Sequence, residues 1–165
     1  MSRLDSFIRR LAAQRACLDH AARIVGGRPG VVLEIGLGNG RTYDHLRTLM
    51  PGRDIFVFDR QVNAHPDCIP YAAYLYLGDF RDTLARAASS IGAHAVLAHC
   101  DIGSGDDAAN AALASAVAPL LAPLLADGAV VASDQPLSDP ALASVHLPSG
   151  VVAGRYHLYA ARRGA

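Results

Sequence analysis

The sequence predicts an α/β fold: one mostly parallel sheet with helices on both faces and an antiparallel strand pair at one edge. Three observations carry this. Strand-like and helix-like stretches alternate along the chain, the pattern of parallel strands joined by helical crossovers. The stretches VVLEIG (31–36), DIFVFD (54–59) and HAVLAHCD (94–101) are short apolar runs, as in strands buried on both sides. The last two strand candidates have no long helix between them, so they are expected to pair antiparallel.

Residues 3–25 read as an amphipathic helix with Leu4, Phe7, Ile8, Leu11, Cys17, Leu18, Ile24 and Val25 near one face. Charge every three or four positions sets it apart from a signal peptide. GGRPG (26–30) ends it, strand 31–36 follows, and a helix over 40–50 stops at Pro51-Gly52. After DIFVFD, Pro66 and Pro70 keep any helix in 60–71 short. AYLYLGD (73–79) is a third strand, 80–91 a helix, and 94–101 the fourth strand. Residues 106–126 form a long, nearly all-apolar helix that Pro119 and Pro123 kink or split. Its Leu113, Val117, Leu120, Leu121, Leu124 and Leu125 either only cover the sheet or also form the face of a homodimer. GAVVASD (128–134) is the fifth strand, and 138–143 a turn or short helix. Two last strands lie near 144–147 and 154–162, joined by a hairpin-type turn in LPSGVVAG. The stretch 155–163, RYHLYAARR, reads as an edge strand blunted by arginine. Residues 1–165 therefore read as a single domain.

Composition narrows the chemistry. The chain has 165 residues, 52% apolar, with 15 basic and 15 acidic groups, which suits one folded domain. Zero net charge argues against a nucleic-acid or anionic-membrane partner. No uninterrupted apolar run approaches the roughly 18 residues of a membrane span, so a cytoplasmic protein is expected. There is no lysine at all, which excludes a Schiff base, a pyridoxal phosphate anchor and a P-loop lysine. Glu34 is the only glutamate beside 14 aspartates. Cys17, Cys68 and Cys100 are widely spaced and odd in number, so free thiols are expected and neither a disulfide framework nor a zinc site.

The strongest local signal is VVLEIGLGNGRTYDHL, where a buried strand runs through Glu34-Ile35-Gly36-Leu37-Gly38-Asn39-Gly40 straight into a helix at Arg41. Glycines let backbone approach a ligand closely, and the helix start offers free N–H groups. The dinucleotide pattern G-x-G-x-x-G needs its third glycine where Arg41 stands, and a P-loop needs different spacing and a lysine. The pattern E/D-x-G-x-G-x-G fits at every position. It is the first motif of class I S-adenosylmethionine-dependent methyltransferases, which this chain resembles over most of its length. More narrowly, GLGNGRTYDHLR, HPD, LGDFRDTL and GRYHLY resemble a small stand-alone bacterial methyltransferase family.

The resemblance implies a Rossmann-like methyltransferase fold and S-adenosyl-L-methionine as cofactor. It implies that Asp59, ending the second strand 19 residues after Gly40, holds the ribose hydroxyls. Asp79, after Gly78, then lies near the adenine, with Phe80 able to pack on the ring. Asp101, at the end of the fourth strand, lines the methionine end, and the N-terminal helix (1–26) folds over the cofactor side. Arg15 on that helix and Arg41 compete for the methionine carboxylate, and Arg60 follows the ribose acid. Glu34 would compensate the cofactor's positive charge; the alternative is a cap for the helix start. Asp59 and Asp79 have similar alternatives as a loop cap and an N-cap.

Candidate catalytic groups sit at the C-terminal strand ends: His99, Asp101 and Asp134, with His65, Cys100 and Gln135 beside them. His99 is one residue inside a buried strand, where a hydrogen-bonded core histidine competes with a general base. Asp101 with Asp134-Gln135 resembles the ion-holding set of metal-dependent catechol-type O-methyltransferases. Glutamine stands for asparagine and no lysine follows Asp101, so no metal ligand is assigned. The expected activity is methyl transfer to an oxygen or nitrogen nucleophile of a small molecule. A non-catalytic cofactor-binding module and, further off, an NAD-dependent oxidoreductase are the alternatives.

Overall fold

A computed structural model describes residues 2–162. The elements are α1 (Arg3–Val25), β1 (Val31–Ile35), α2 (Arg41–Leu49), β2 (Ile55–Asp59), β3 (Leu75–Leu77), α3 (Phe80–Ile91) and β4 (Ala95–Cys100). They continue with α4 (Asp107–Leu121), β5 (Leu125–Ser133), β6 (Leu142–Ser144) and β7 (His157–Ala161). Among the described residues these strands form one sheet in the order β3-β2-β1-β4-β5-β7-β6. The first five pair parallel, and β7 runs antiparallel to both β5 and β6.

The antiparallel pair is present, but β7 is not the edge strand. It lies between β5 and β6, with Val131 paired to Tyr159. Tyr156, Leu158 and Tyr159 are buried, so the alternation in RYHLY belongs to an inner strand and the short β6 forms the edge. Arg163, part of the expected arginine guard, lies outside the described residues. Only Pro140 and Ala141 form the turn expected over 138–143; Leu142 and Ala143 already belong to β6, which ends at Ser144, so the strand expected near 144–147 lies earlier.

Helix α1 starts with a capping box. The Ser2 hydroxyl accepts from Asp5 N at 3.0 Å, and Ser2 N donates to the Asp5 carboxylate at 3.1 Å. Its buried stripe is Ala13, Gln14, Cys17, Leu18, Ala21 and Val25. Leu4, Phe7, Ile8 and Ile24 are exposed, so of the expected apolar face only Cys17, Leu18 and Val25 are buried. Small alanines let those turns lie close on the sheet.

Helix α4 keeps Pro119 inside and ends two residues before Pro123, which opens a separate short turn at Ala122–Leu124. Asp107–Leu124 has the length and hydropathy of a membrane span, which a search for uninterrupted apolar runs passes over. Ala114, Val117, Ala118 and Leu121 pack it into the core between α3 and the sheet. Leu113 and Leu120 are also packed against that core, and the outward positions are small, such as Ala111, Ala112 and Ser115. Of the leucines expected on this face, Leu121, Leu124 and Leu125 are buried, Leu120 is partly buried, and Leu113 is partly buried and lines the cleft described below.

Strand β5 begins three residues earlier than expected. Its register breaks opposite Ala95–Leu97, where Gly128 takes φ +67°, and Arg28 donates to the Asp127 and Gly128 carbonyls at 2.6 and 2.7 Å.

Candidate functional site

At the C-terminal ends of β1, β2 and β4 the sheet opens into a cleft of about 500 Å³, within the range of small-molecule sites. Of the expected residues, Gly36, Gly38, Asp59, Arg60, Phe80 and Asp101 line it. Arg81, the loop Ile102–Ser104 and the α4 start around Ala109 and Asn110 complete the wall.

The glycine turn explains the shape. Gly36 has φ +94°, and a Cβ there would stand 2.2 Å from the Asp101 carbonyl oxygen. Only glycine lets the turn after β1 pass against the end of β4. Gly40, φ +80°, starts α2 where a side chain would meet Cys68 at 2.5 Å. Gly36 and Gly40 therefore serve packing as much as ligand approach.

Asp59 closes this turn from β2. One carboxylate oxygen accepts from Leu37 N at 2.7 Å and Gly38 N at 3.1 Å. The other accepts from Arg60 N at 2.6 Å and Gln61 N at 3.3 Å. Asp59 thus lines the cleft and also caps the loop. Asp79 is the N-cap of α3, accepting from Arg81 N at 2.9 Å, and its carboxylate pairs with Arg60 at 3.6 Å and Arg81 at 3.5 Å. Those arginines reach the cleft, whereas Asp79 and Gly78 do not line it. Gly78 instead donates its N–H to the Asp59 carbonyl at 3.0 Å.

Several expected contacts are elsewhere. Glu34 is fully buried. One carboxylate oxygen accepts from the Thr42 hydroxyl and the other from His99 Nδ1 at 2.7 Å. It has no exposed surface toward the cleft, and both oxygens are taken up by side chains, not by backbone N–H groups. Leu37 is buried, and Asn39 and Arg41 line a separate hollow with Asp44, His65 and Cys68. Arg15 is exposed and off the cleft; the polar groups α1 extends toward Asp101 are Arg10 and Gln14.

The catalytic candidates divide in the same way. Asp101 lines the cleft, receiving the Gln14 amide at 2.9 Å and Arg10 at 3.5 Å. His99 is a fully buried core histidine between Glu34 and the Tyr156 hydroxyl. Burial opposes its protonation, but Glu34, with Asp101 and Asp134 adding to it, outweighs that and raises its pKa above the ordinary imidazole value. Asp134 accepts from Ile102 N at 3.0 Å and Gly103 N at 2.9 Å, and from the Gln135 amide at 3.1 Å. It anchors the loop after β4 and does not line the cleft. Burial raises its pKa, against the pull of the Gln135 amide. Among the described residues no group of three or more His, Cys, Asp or Glu comes together as a metal site.

Sequence reasoning missed Arg10, Gln14, Asn110 and Tyr156. Asn110 accepts from Ser104 N and Oγ at 2.8 Å and shapes the rim of the cleft. Arg10 and Gln14 are four residues apart on one helix face, a usable signal once that face is known to look at β4.

A sheet ordered β3-β2-β1-β4-β5-β7-β6, with a glycine turn and the acid of β2 meeting at one cleft, defines a Rossmann-like methyltransferase. The chain matches the S-adenosyl-L-methionine methyltransferase family over residues 1–161 and belongs to it. Its cofactor is accordingly S-adenosyl-L-methionine. A solved S-adenosyl-L-methionine methyl transferase from Silicibacter pomeroyi is 46% identical, with TM-score 0.93 and 99% of each chain covered. The methyltransferase MycE of the mycinamycin biosynthetic pathway, solved with Mg and SAH, matches at 16% identity and TM-score 0.60. The match covers 88% of this chain and 45% of that one. The sugar N-methyltransferase KedS8 from Streptoalloteichus matches at 20% identity and TM-score 0.51, over 88% and 61%. The last two likenesses are of fold alone. No curated protein matches.

Proposed function

We propose that this chain is an active enzyme that moves a methyl group to an oxygen or nitrogen of a small molecule seated at the Asp101 end of the cleft. The observation that carries the reading is that Asp59 at the end of β2, Phe80 at the start of α3 and Asp101 just after β4 wall one cleft. In this reading Phe80 packs against the adenine, and Asp59 accepts from the ribose hydroxyls while holding the glycine turn. Asp101 sets a negative charge where the cofactor's ammonium and sulfonium lie. The bound cofactor supplies a methyl group on a cationic sulfur. The chain's part is to align the acceptor in line with it and exclude water, which provides much of the acceleration. Asp101 is also the carboxylate available to an acceptor that must lose a proton.

Calorimetric titration with S-adenosylmethionine, its demethylated product and NAD tests this. Binding of the first two alone sustains the reading; silence, or binding of NAD alone, overturns it. Asp59→Ala is expected to weaken binding of the demethylated product by about 1.5–3 kcal/mol. An unchanged affinity removes Asp59 from the ribose.

The alternative of a non-catalytic binding module gains from one observation: among the described residues no histidine, cysteine or tyrosine lines the cleft. A screen of phenols, amines and hydroxy acids with labelled S-adenosylmethionine separates the two. Cofactor binding without transfer to any acceptor class favours the module.

A further inference from the structure

The polar groups buried on the α1 side of the sheet form one connected chain, which runs from the first turn of α2 to Asp101 in the candidate site. Thr42, in the first turn of α2, donates its hydroxyl to Glu34, whose other oxygen accepts from His99 Nδ1 at 2.7 Å. The carboxylate oxygen is the acceptor in this pair and Nδ1 the donor. His99 Nε2 is bonded to the Tyr156 hydroxyl. The Gln14 amide nitrogen donates to Tyr156 Oη at 3.4 Å and to Asp101 Oδ2 at 2.9 Å. Two hydrogens on one nitrogen thus bridge the buried chain to the cleft. Glu34, His99 and Tyr156 are fully buried and Gln14 is 4% exposed. Among the described residues no buried side-chain polar atom lacks a partner.

Stability alone does not call for such a chain, because hydrophobic residues of similar volume do as well or better in a core. Its geometry has another consequence. The backbone of Asp101 is pinned by its N–H bond to the Ile35 carbonyl at 2.9 Å and by the close pass of Gly36. Its carboxylate, however, is set by Gln14 and by Arg10, whose side chain is 40% exposed and stands off at 3.5 Å. Gln14 is the better-fixed partner, and Tyr156 is what fixes Gln14.

We infer that Gln14 and Tyr156 are positioning residues: together they aim the Asp101 carboxylate into the cleft, and through His99 and Glu34 they tie that aim to α2 and the glycine turn. This rests on the reading of the cleft given above, in which Asp101 meets the amino-acid end of the cofactor. It adds that α1 and the segment before β7 build that end of the site, although neither lines the cleft.

The test compares two ligands on three proteins by calorimetry. S-adenosylhomocysteine carries the amino-acid end; 5′-methylthioadenosine has the same nucleoside and lacks it. The variants are Gln14→Leu and Tyr156→Phe, which keep side-chain volume while removing the amide or the hydroxyl. Gln14→Leu is expected to weaken S-adenosylhomocysteine about tenfold, and Tyr156→Phe about threefold. Binding of 5′-methylthioadenosine should stay within about twofold in both. A merely structural role would move both ligands together, so equal losses overturn the inference, as do unchanged affinities for both. If one variant does not fold, the other decides by the same comparison. Failure of the wild-type protein to bind either ligand overturns instead the reading of the cleft, and the inference with it.

Discussion

On the face covered by α3 and α4, strands β1 and β4 present Leu33, Ile35, Ala98 and Cys100 to a core almost wholly apolar. On the face covered by α1 and α2, the alternate positions of the same two strands include Glu34 and His99, a fully buried acid and base. The two strands are equally buried on both sides, so burial does not explain the difference. The polar pair faces the side from which α1 reaches the cleft. The apolar face holds the sheet together, while the other face also carries the connection from the glycine turn to Asp101.

The contrast can be broken from the polar side first. Glu34→Ala removes the acceptor for His99 and Thr42 and is expected to destabilise by about 3–5 kcal/mol, read from urea unfolding. Replacing both members, Glu34→Leu with His99→Leu, is expected to be near neutral or stabilising. A double variant as unstable as Glu34→Ala would mean that the pair itself holds the fold.

On the apolar face, Leu121→Ala in α4 is expected to cost about 2–5 kcal/mol, since its side chain is fully buried. Unlike Glu34→Ala, it should leave the pH dependence of stability unchanged. That dependence has a definite sign. His99 titrates near 6.5 when unfolded and higher when folded, so its contribution is complete below about pH 6.5 and is lost as pH rises through the folded value. The thermal midpoint should fall on that rise, and His99→Leu combined with Glu34→Leu should abolish the fall. A midpoint that rises instead contradicts the assigned direction.

The smallest effect concerns the thiols. Cys17 is buried on the polar face, its pKa pushed up to about 11 by burial, and Cys100 is buried on the other face with its pKa raised further. Cys68 is partly exposed. A thiol reagent should therefore titrate one cysteine per native chain and three after denaturation. Two fast thiols in the native protein would mean that one face opens.

Much of this was readable in the sequence. Helices over 3–25 and 80–91 match α1 and α3 end to end, because a capping Ser2 and Asp79 and a terminal glycine mark both limits. The cleft-lining Gly36, Gly38, Asp59, Phe80 and Asp101 all lie at or just after the C-terminal ends of strands, where open α/β sheets place their sites. What stayed hidden depends on which strands are neighbours. Glu34 and His99 are partners in register between β1 and β4, 65 residues apart in the chain. Read separately, one looks like a ligand contact and the other like a base. Asp134 misled in a similar way, because its partners, the N–H groups of Ile102 and Gly103, come from a loop 31 or more positions earlier. The inner place of β7 was hidden too, since strand pattern alone does not say which of two late strands inserts.

That insertion bears on how the chain is made. Synthesis is vectorial, and β6 emerges before β7, yet β6 has no place in the sheet until β7 has paired with β5. Until then a nascent chain holds the β5 segment Val130–Ser133 as an open, apolar edge, the kind of surface that invites misassembly. Tyr156, just before β7, arrives in the same interval, so the polar face is completed together with the sheet.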